Sequence, residues 1–426
     1  MSKTLDKTVP GRSLPPTMDS LIKKPGLADT DPHSWFRRHG GKRGAVWLDS
    51  SLTLGSWGTQ SLVAVQPVGE LILRDNRAEF FADLDRLTRI EGKTAVGFLT
   101  YEAALPWVGL VAQTQTDVPL GHFFVYDKVH RFDSTPYAPP DPGEGVPTVP
   151  AAPVAVTATV TRSEYLDAVE RIQQHIREGD IYQANLTCRF DCPTDLPPEL
   201  VYERLRRLNP SPYGAYLDFG DYQILSSSPE RMLRVEDRRI TSSPIKGTIA
   251  RGNSAEETER NLAALTASDK DRAELLMIVD LVRNDLGKVA ATGTVRVDRL
   301  FRSQVYSSVI HLMADVSAQL RESVSLEELF AALLPGGSIT GAPKKRAVEI
   351  IASCEKTPRS VYTGCIGYVD SRGLDFNLAI RTMIHRSGTY HLHAGGGIVT
   401  DSRAEAEYDE MRLKARNLFR CLGVKA

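Results

Sequence analysis

The chain has almost no net charge. Its 52 Lys and Arg oppose 53 Asp and Glu, leaving a formal charge of −1 over 426 residues. A general nucleic-acid binder carries a basic excess, so this balance argues against that class. Long apolar runs are missing too. The densest, Leu275 to Val279, meets Asp280 at once, which argues against a membrane span. Cysteine is scarce at 5 residues, and the early Lys3, Asp6 and Lys7 precede no apolar stretch. Both features lead us to expect a reducing, cytoplasmic setting with free thiols instead of a secreted disulfide framework. Cys188 and Cys192 have no His or Cys neighbours at metal-binding spacing and read as packed or surface thiols. With 42% hydrophobic residues the chain is not short of core, so disorder is excluded and a globular enzyme is expected.

Proline marks the division of the chain. Between Ser134 and Pro153 stand Pro136, Pro139, Pro140, Pro142, Pro147, Pro150 and Pro153, a density that forbids regular helix or inner strand. We therefore expect a loosely ordered arm over 1–34, an N-terminal region over 35–133, a linker over 134–155 and the main region over 156–426. Strands are expected at 46–48, 62–65 and 95–99, with a helix over 78–90. Beyond the linker, Thr161 and Glu164 have capping-box spacing ahead of an apolar helical stripe that Gly179 would stop. Gly220-Asp221 separates two strand-like runs as a hairpin turn would. Further helices are expected from Ser268 to Gly287, after Ser325, from Pro343 to Ala352 and from Arg403 to Cys421. Extended segments are expected at 305–318, 361–369, 376–385 and 389–394. Helices alternating with antiparallel strand pairs favour α+β over a doubly wound sheet.

Several residues stand out chemically. On the final helix Glu407, Glu410 and Lys414 form a stripe about 100° from the apolar one, so the acids border the buried face. The plainer reading is a solvated charge face; the sharper one is a divalent-cation site beside an anion site. Asp271 and Glu274 repeat the spacing on the helix after Ser268, where dipole complementarity alone would suit Asp271. The loop Gly336 to Lys344 has Ala342 where a Walker loop needs lysine, so an NTPase is rejected. It remains either a tight turn or an anion-binding helix start. Gly395 to Gly397 allows a bulge or a close approach to a ligand. Lys246, between Pro244 and Gly247, is a surface lysine or a desolvated amine nucleophile. Glu230 is a possible general acid, and His311 a packed histidine or a catalyst.

Taken in order, Gly179 to Leu186, Ser227 to Arg231, Pro244 to Thr248, Ala273 to Gly287, Gly336 to Lys344, Tyr362 to Tyr368 and Gly395 to Glu410 resemble the motifs of the chorismate-utilising enzymes. That family includes component I of anthranilate synthase and of aminodeoxychorismate synthase, and the isochorismate and salicylate synthases. The resemblance is specific over about 161–422 and weaker over 45–126. It implies a large composite α/β/β/α layered fold. It also implies Mg²⁺ held by Glu274 and Glu410, with Asp271 and Glu407 as outer partners. Tyr362, Arg381, Gly396 and Lys414 match positions that hold the substrate's carboxylates, helped by Ser338 and Thr340, and His311 matches the histidine near the departing ring oxygen.

Two positions separate the subfamilies by resemblance. The water-using synthases have lysine where this chain has Gln183, so ammonia is implied as nucleophile. Anthranilate synthases have alanine where this chain has Lys246, and the lysine resembles the aminodeoxychorismate type. The implied reaction joins chorismate and ammonia into 4-amino-4-deoxychorismate, for 4-aminobenzoate and folate, through a covalent Lys246 intermediate. A separate glutamine amidotransferase partner is implied as ammonia source. Anthranilate synthesis and a non-catalytic chorismate-binding role are the rivals. Relatives hold tryptophan beside a Leu-Glu-Ser motif; the matching place here reads Leu48-Asp49-Ser50.

Overall fold

The computed structural model describes residues 31–53, 58–75, 77–111, 116–133, 145–149, 154–306 and 309–424. The first 30 residues, and most of the proline-dense segment, lie outside the described residues. Asp31 accepts from the Ser34 N–H and caps a helix, Pro32–His39, that buries Trp35 and Phe36.

Two ten-stranded sheets, antiparallel throughout, form the centre of the molecule. The first runs in the order Gly341–Ala342, Gln183–Pro193, Thr389–Ile398, Thr382–Arg386, Tyr222–Ser228, Tyr213–Asp218, Val46–Asp49, Gln60–Ala64 and His130–Asp133, with Thr157–Ala158 beside the second strand. The second runs Ile245–Ala250, Val309–Gln319, Arg239–Ser243, Arg231–Glu236, Gly373–Leu378, Cys365–Asp370, Thr94–Leu99, Gly121–Tyr126 and Gly69–Leu73, with Arg296–Val305 also on Val309–Gln319. Each sheet takes strands from both sides of the proline-dense segment.

Three cores explain the layering. Val46, Leu62, Phe98, Phe124, Leu217, Ile224 and Ile366 fill the space between the sheets. Helices Arg162–Arg177, Pro198–Leu208, Lys344–Cys354 and Ala404–Cys421 bury their apolar faces on the outside of the first sheet. Helices Arg77–Asp85, Asp269–Gly287 and Leu326–Leu333 do so on the second. The architecture is the expected α+β layered fold, helix–sheet–sheet–helix. Local signals are realised where expected: Thr161 and Ser325 form reciprocal capping boxes with Glu164 and Glu328, and Gly220 turns the hairpin at φ 87°.

Three expectations are corrected. The stretch 376–385 is two strands, one in each sheet, broken at Ala379-Ile380-Arg381, where Arg381 takes φ 51°. No glycine or proline announces that break, so the apolar pattern runs straight through it. The stretch 305–318 contains the end of one strand and most of its hairpin partner, closed by Tyr306 N–H on the Val309 carbonyl. Segment 361–369 is extended from Cys365 onward, after a turn in which Ser360 and Thr363 have positive φ. Helices Pro198–Leu208 and Ala255–Ala267 were not foreseen.

Candidate active site

The second sheet's edge strand places Lys246 at the floor of a cleft. Pro244 leads into the strand, and Gly247, at φ 79°, bends it directly after the lysine. A Cβ on Gly247 would stand 3.0 Å from Asp271 Oδ1, so the glycine lets the long helix approach. Lys246 keeps some accessible surface, as a nucleophile must. Burial pushes its ammonium below the usual lysine range, against the charges of Glu274, Glu230 and Glu410 and with that of Lys414. One amine thus senses acids from a strand connection and from helices on both sheets.

Glu230 lies buried beside it. The Ser338 hydroxyl donates to its Oε1 at 3.0 Å. Burial raises its carboxyl to about 7, overcoming the opposing effects of Ser338 and Lys246. Such a carboxyl can hold a proton near neutrality and give it up. Gln183 is fully buried, and neither its amide nitrogen nor its oxygen has a partner among the described residues. Two unsatisfied polar atoms at this depth are costly unless something binds them. A Cβ on Gly397 would lie 3.0 Å from Gln183 Nε2 and 3.3 Å from Lys246 Nζ. Glycine there leaves the space between those two groups open.

The rim carries the acids. A Cβ on Gly396 would lie 3.2 Å from Glu407 Oε2 and 3.6 Å from Lys414 Nζ. Glu407 accepts from Ser402 at 2.6 Å, and Lys414 bridges Glu410 at 2.8 Å and the Gly395 carbonyl at 3.1 Å. Burial and Glu410's charge raise Glu407's carboxyl, whereas Lys414 holds Glu410's down. Glu274 has Lys270 at 4.0 Å. No three of Asp271, Glu274, Glu407 and Glu410 bring ligand oxygens within 4.8 Å of one another. The donors are nonetheless hard carboxylates on two helices across one cleft, crowded enough to raise one of them. That chemistry fits a small divalent cation such as Mg²⁺.

Arg381 sits half-buried at its strand break, where the chain passes from one sheet to the other. It reaches Asn209 Oδ1 at 3.2 Å, and no carboxylate forms an ion pair with it among the described residues. A half-buried guanidinium without a carboxylate partner suits an anion. His311 bonds through Nδ1 to Thr248 Oγ1 at 2.8 Å, while its Nε2 has no partner. Burial, then Arg381's charge, lowers it to about 3, so its ring is neutral at ordinary pH. Tyr362 stacks on His393 at 5.3 Å and 12°, and burial raises its phenol to about 12. Thr340, by contrast, spends its hydroxyl on the Gly336 carbonyl at 2.8 Å.

The cleft therefore gathers Lys246, Glu230, Ser338, Gln183 and Gly397 at its floor and Asp271, Glu274, Glu407, Glu410, Lys414 and Gly396 at its rim. His311 lies further along, within reach of Arg381's charge. His393, Asn209 and Tyr306, whose ring meets His311 edge-on at 4.9 Å, were missed, because nothing in their own sequence neighbourhood signals what they touch. Away from the cleft, Asp49 is bound by Arg206 at 2.8 Å and Tyr202 at 3.2 Å, and Ser50 by the Gln60 carbonyl at 2.7 Å. Among the described residues no helix is long and apolar enough to cross a membrane.

Comparison with known proteins bears on the family and the fold. The chain is 42% identical over 265 residues to anthranilate synthase component 1 of Aquifex aeolicus, covering 62% of this chain and 54% of that one. It is 43% identical over 279 residues to aminodeoxychorismate synthase of Streptomyces griseus, covering 64% and 39%. The match thus spans about half or less of those relatives. Anthranilate synthase component 1 of Methanothermobacter marburgensis is 35% identical over 374 residues, 82% of this chain and 81% of that one. Component I of anthranilate synthase from Streptococcus pneumoniae superposes with a TM-score of 0.75 at 28% identity, covering 93% and 99% of the two chains. The menaquinone-specific isochorismate synthase of Escherichia coli shares the fold at a TM-score of 0.72, 19% identity and coverage of 93% and 92%. A family model described as chorismate binding enzyme matches residues 50–420. The chain belongs to the chorismate binding enzyme family.

Proposed function

We propose that this chain is component I of an aminodeoxychorismate synthase, converting chorismate and ammonia into 4-amino-4-deoxychorismate for 4-aminobenzoate and folate synthesis. The observation that carries the proposal is Lys246: an amine below its usual range, beside a carboxyl raised to about 7, facing the open space over Gly397. Relatives named both for this activity and for anthranilate synthesis match at similar identity. Family membership alone therefore leaves the choice to the chemistry of the floor.

The reaction asks for nitrogen on the ring carbon that loses its hydroxyl. Lys246 is desolvated and so has a share of neutral amine, with a lone pair to add at C2 of chorismate. Glu230 protonates the departing C4 hydroxyl, which leaves as water as both ring double bonds shift along the ring toward C4. Ammonia then adds at C4, both double bonds shift back, and the lysine nitrogen leaves C2 and regains its proton. Atoms balance: chorismate and ammonia give 4-amino-4-deoxychorismate and water. The unpartnered amide of Gln183 suits an ammonia nucleophile, since its oxygen accepts an N–H. Arg381, Tyr362 and Lys414 hold the substrate's carboxylates. Glu274 and Glu410 would hold Mg²⁺, with Asp271 and Glu407 behind them. When bound, the ion neutralises a substrate carboxylate and stabilises developing charge. Neutral His311 offers a hydrogen bond near the departing oxygen. Ammonia would come from a separate glutamine amidotransferase, in keeping with the "component 1" names of the relatives.

Anthranilate synthesis is the second reading, favoured by the several relatives of that name at 35–43% identity. In it ammonia adds at C2 directly and Lys246 is a bystander. The test is Lys246→Ala assayed with ammonium. Loss of 4-amino-4-deoxychorismate supports the proposal; its formation at the wild-type rate overturns the lysine's role.

A further inference from the structure

Arg359 is 1% exposed and lies outside every role assigned above. Its guanidinium makes four hydrogen bonds to three partners. Nη1 donates to the Ile339 carbonyl at 2.8 Å, within the loop that carries Ser338. Nη2 donates to the Asn185 carbonyl at 2.6 Å, two residues beyond Gln183 on the same strand. Nε and Nη2 clasp Glu355 at 2.8 and 2.7 Å. Glu355 in turn accepts from the Thr187 N–H and hydroxyl, both at 2.9 Å. The Arg359 carbonyl accepts from the Tyr362 N–H at 3.1 Å, which closes the turn carrying that tyrosine. The cation also lies over the Tyr101 ring at 4.6 Å.

A second grip comes from the other side of the proline-dense segment. Glu102 is buried, and its two oxygens accept from the backbone N–H groups of Arg359 and Ser360 at 2.7 and 3.0 Å. Tyr101 N–H returns a bond to the Ser360 carbonyl at 2.9 Å. Ser360 and Thr363 both have positive φ, so neither is in a conformation that it would choose alone. The turn needs an outside hold, and Glu102 supplies it.

We propose that Arg359 and Glu102 are positioning residues that fix the Gln183 strand, the Ser338 loop and the Tyr362 turn relative to one another, so that the N-terminal region sets the geometry of a cleft to which it contributes no reacting group. The inference rests on the functional reading in one respect: those three segments are the ones taken to hold substrate and the general acid. A rigid support of this kind matters because a misplacement of about 1 Å can cost about 100-fold in rate.

Glu102→Gln is the sharper test. It keeps one acceptor but turns an NH₂ toward the second backbone N–H. Hydrogen–deuterium exchange should quicken about tenfold in 359–363 and, coupled to it, in 183–187 and 337–340. Chorismate consumption, measured as depletion so that either amino product counts, should show KM raised about tenfold and kcat reduced less. Arg359→Lys, which keeps the charge and loses the fork, should give the same three-segment pattern more strongly. Quickening confined to 359–360, or equal across the whole molecule, overturns the proposal. So does a lower melting temperature with KM and kcat both unchanged, the mark of a merely structural residue. Should the wild type deplete no chorismate, the functional reading fails, and the exchange pattern by itself supports or overturns the clamp.

Discussion

The floor and the rim of the cleft are built on opposite terms. The floor holds buried groups under strain: Gln183 with no partner for either amide atom and Glu230 raised to about 7, and His311, further along, has a bare Nε2. The rim is half-exposed and complete, with Glu410 on Lys414 and Glu407 on Ser402. Unsatisfied polar groups cost little in water and much in the interior. On the proposed function, the floor is where stability is given up for chemistry, while the rim holds charge that would exchange a lysine or serine partner for an ion and a carboxylate. Substitutions at the floor should abolish turnover, and those at the rim should shift concentration dependences.

The largest effect is expected from Lys246→Ala. Removing the nucleophile should lower 4-amino-4-deoxychorismate formation with ammonium by at least about 10³-fold, measured by mass analysis of products. Glu230→Gln follows, with kcat lower by about 10²–10⁴-fold. The same residue sets a pH limb. Its carboxyl is raised, so it stays protonated up to about pH 7 and loses the proton above it. The rate should accordingly fall as pH rises through about 7 in the wild type, and that limb should vanish in Glu230→Gln. A wild-type rate that keeps rising past that point would take the general-acid role from Glu230.

Rim variants should behave differently. Glu274→Gln or Glu410→Gln should raise the Mg²⁺ concentration for half-maximal rate by about 10–100-fold, with kcat at saturating ion largely kept. A titration of rate against Mg²⁺ checks this, and an unchanged midpoint would remove both from the ion's coordination. Glu407→Gln, one step further out, is expected to shift that midpoint least. Unfolding curves for Glu274→Gln and Glu410→Gln should stay within about 0.5 kcal/mol of wild type, because solvent-accessible ion pairs contribute little.

The same contrast explains what the sequence made legible. The rim could be read because its acids recur at helical spacing beside an apolar stripe, and one helix suffices to align them. Lys246 and Glu230 could be singled out by their turn neighbours, yet their mutual placement is a fact of tertiary structure. Arg381 was read as lying inside a single strand, because a left-handed residue flanked by Ile380 and Thr382 leaves no mark in an apolar pattern. The helix Pro198–Leu208 did leave one, in Pro198 at its start and Leu200, Val201 and Leu205 at helical spacing. Arg359 left none: a buried arginine looks like a surface one until its carbonyl partners, 20 and 174 residues away, are in place.

The central claim is that Lys246 forms a bond to the substrate. The direct measurement is intact and peptide mass analysis of the enzyme incubated with chorismate and Mg²⁺, with ammonium withheld. The account predicts an adduct of chorismate minus water on the peptide containing Lys246, discharged as 4-amino-4-deoxychorismate when ammonium is added. Anthranilate as the product with ammonium, and no adduct without it, would contradict the account.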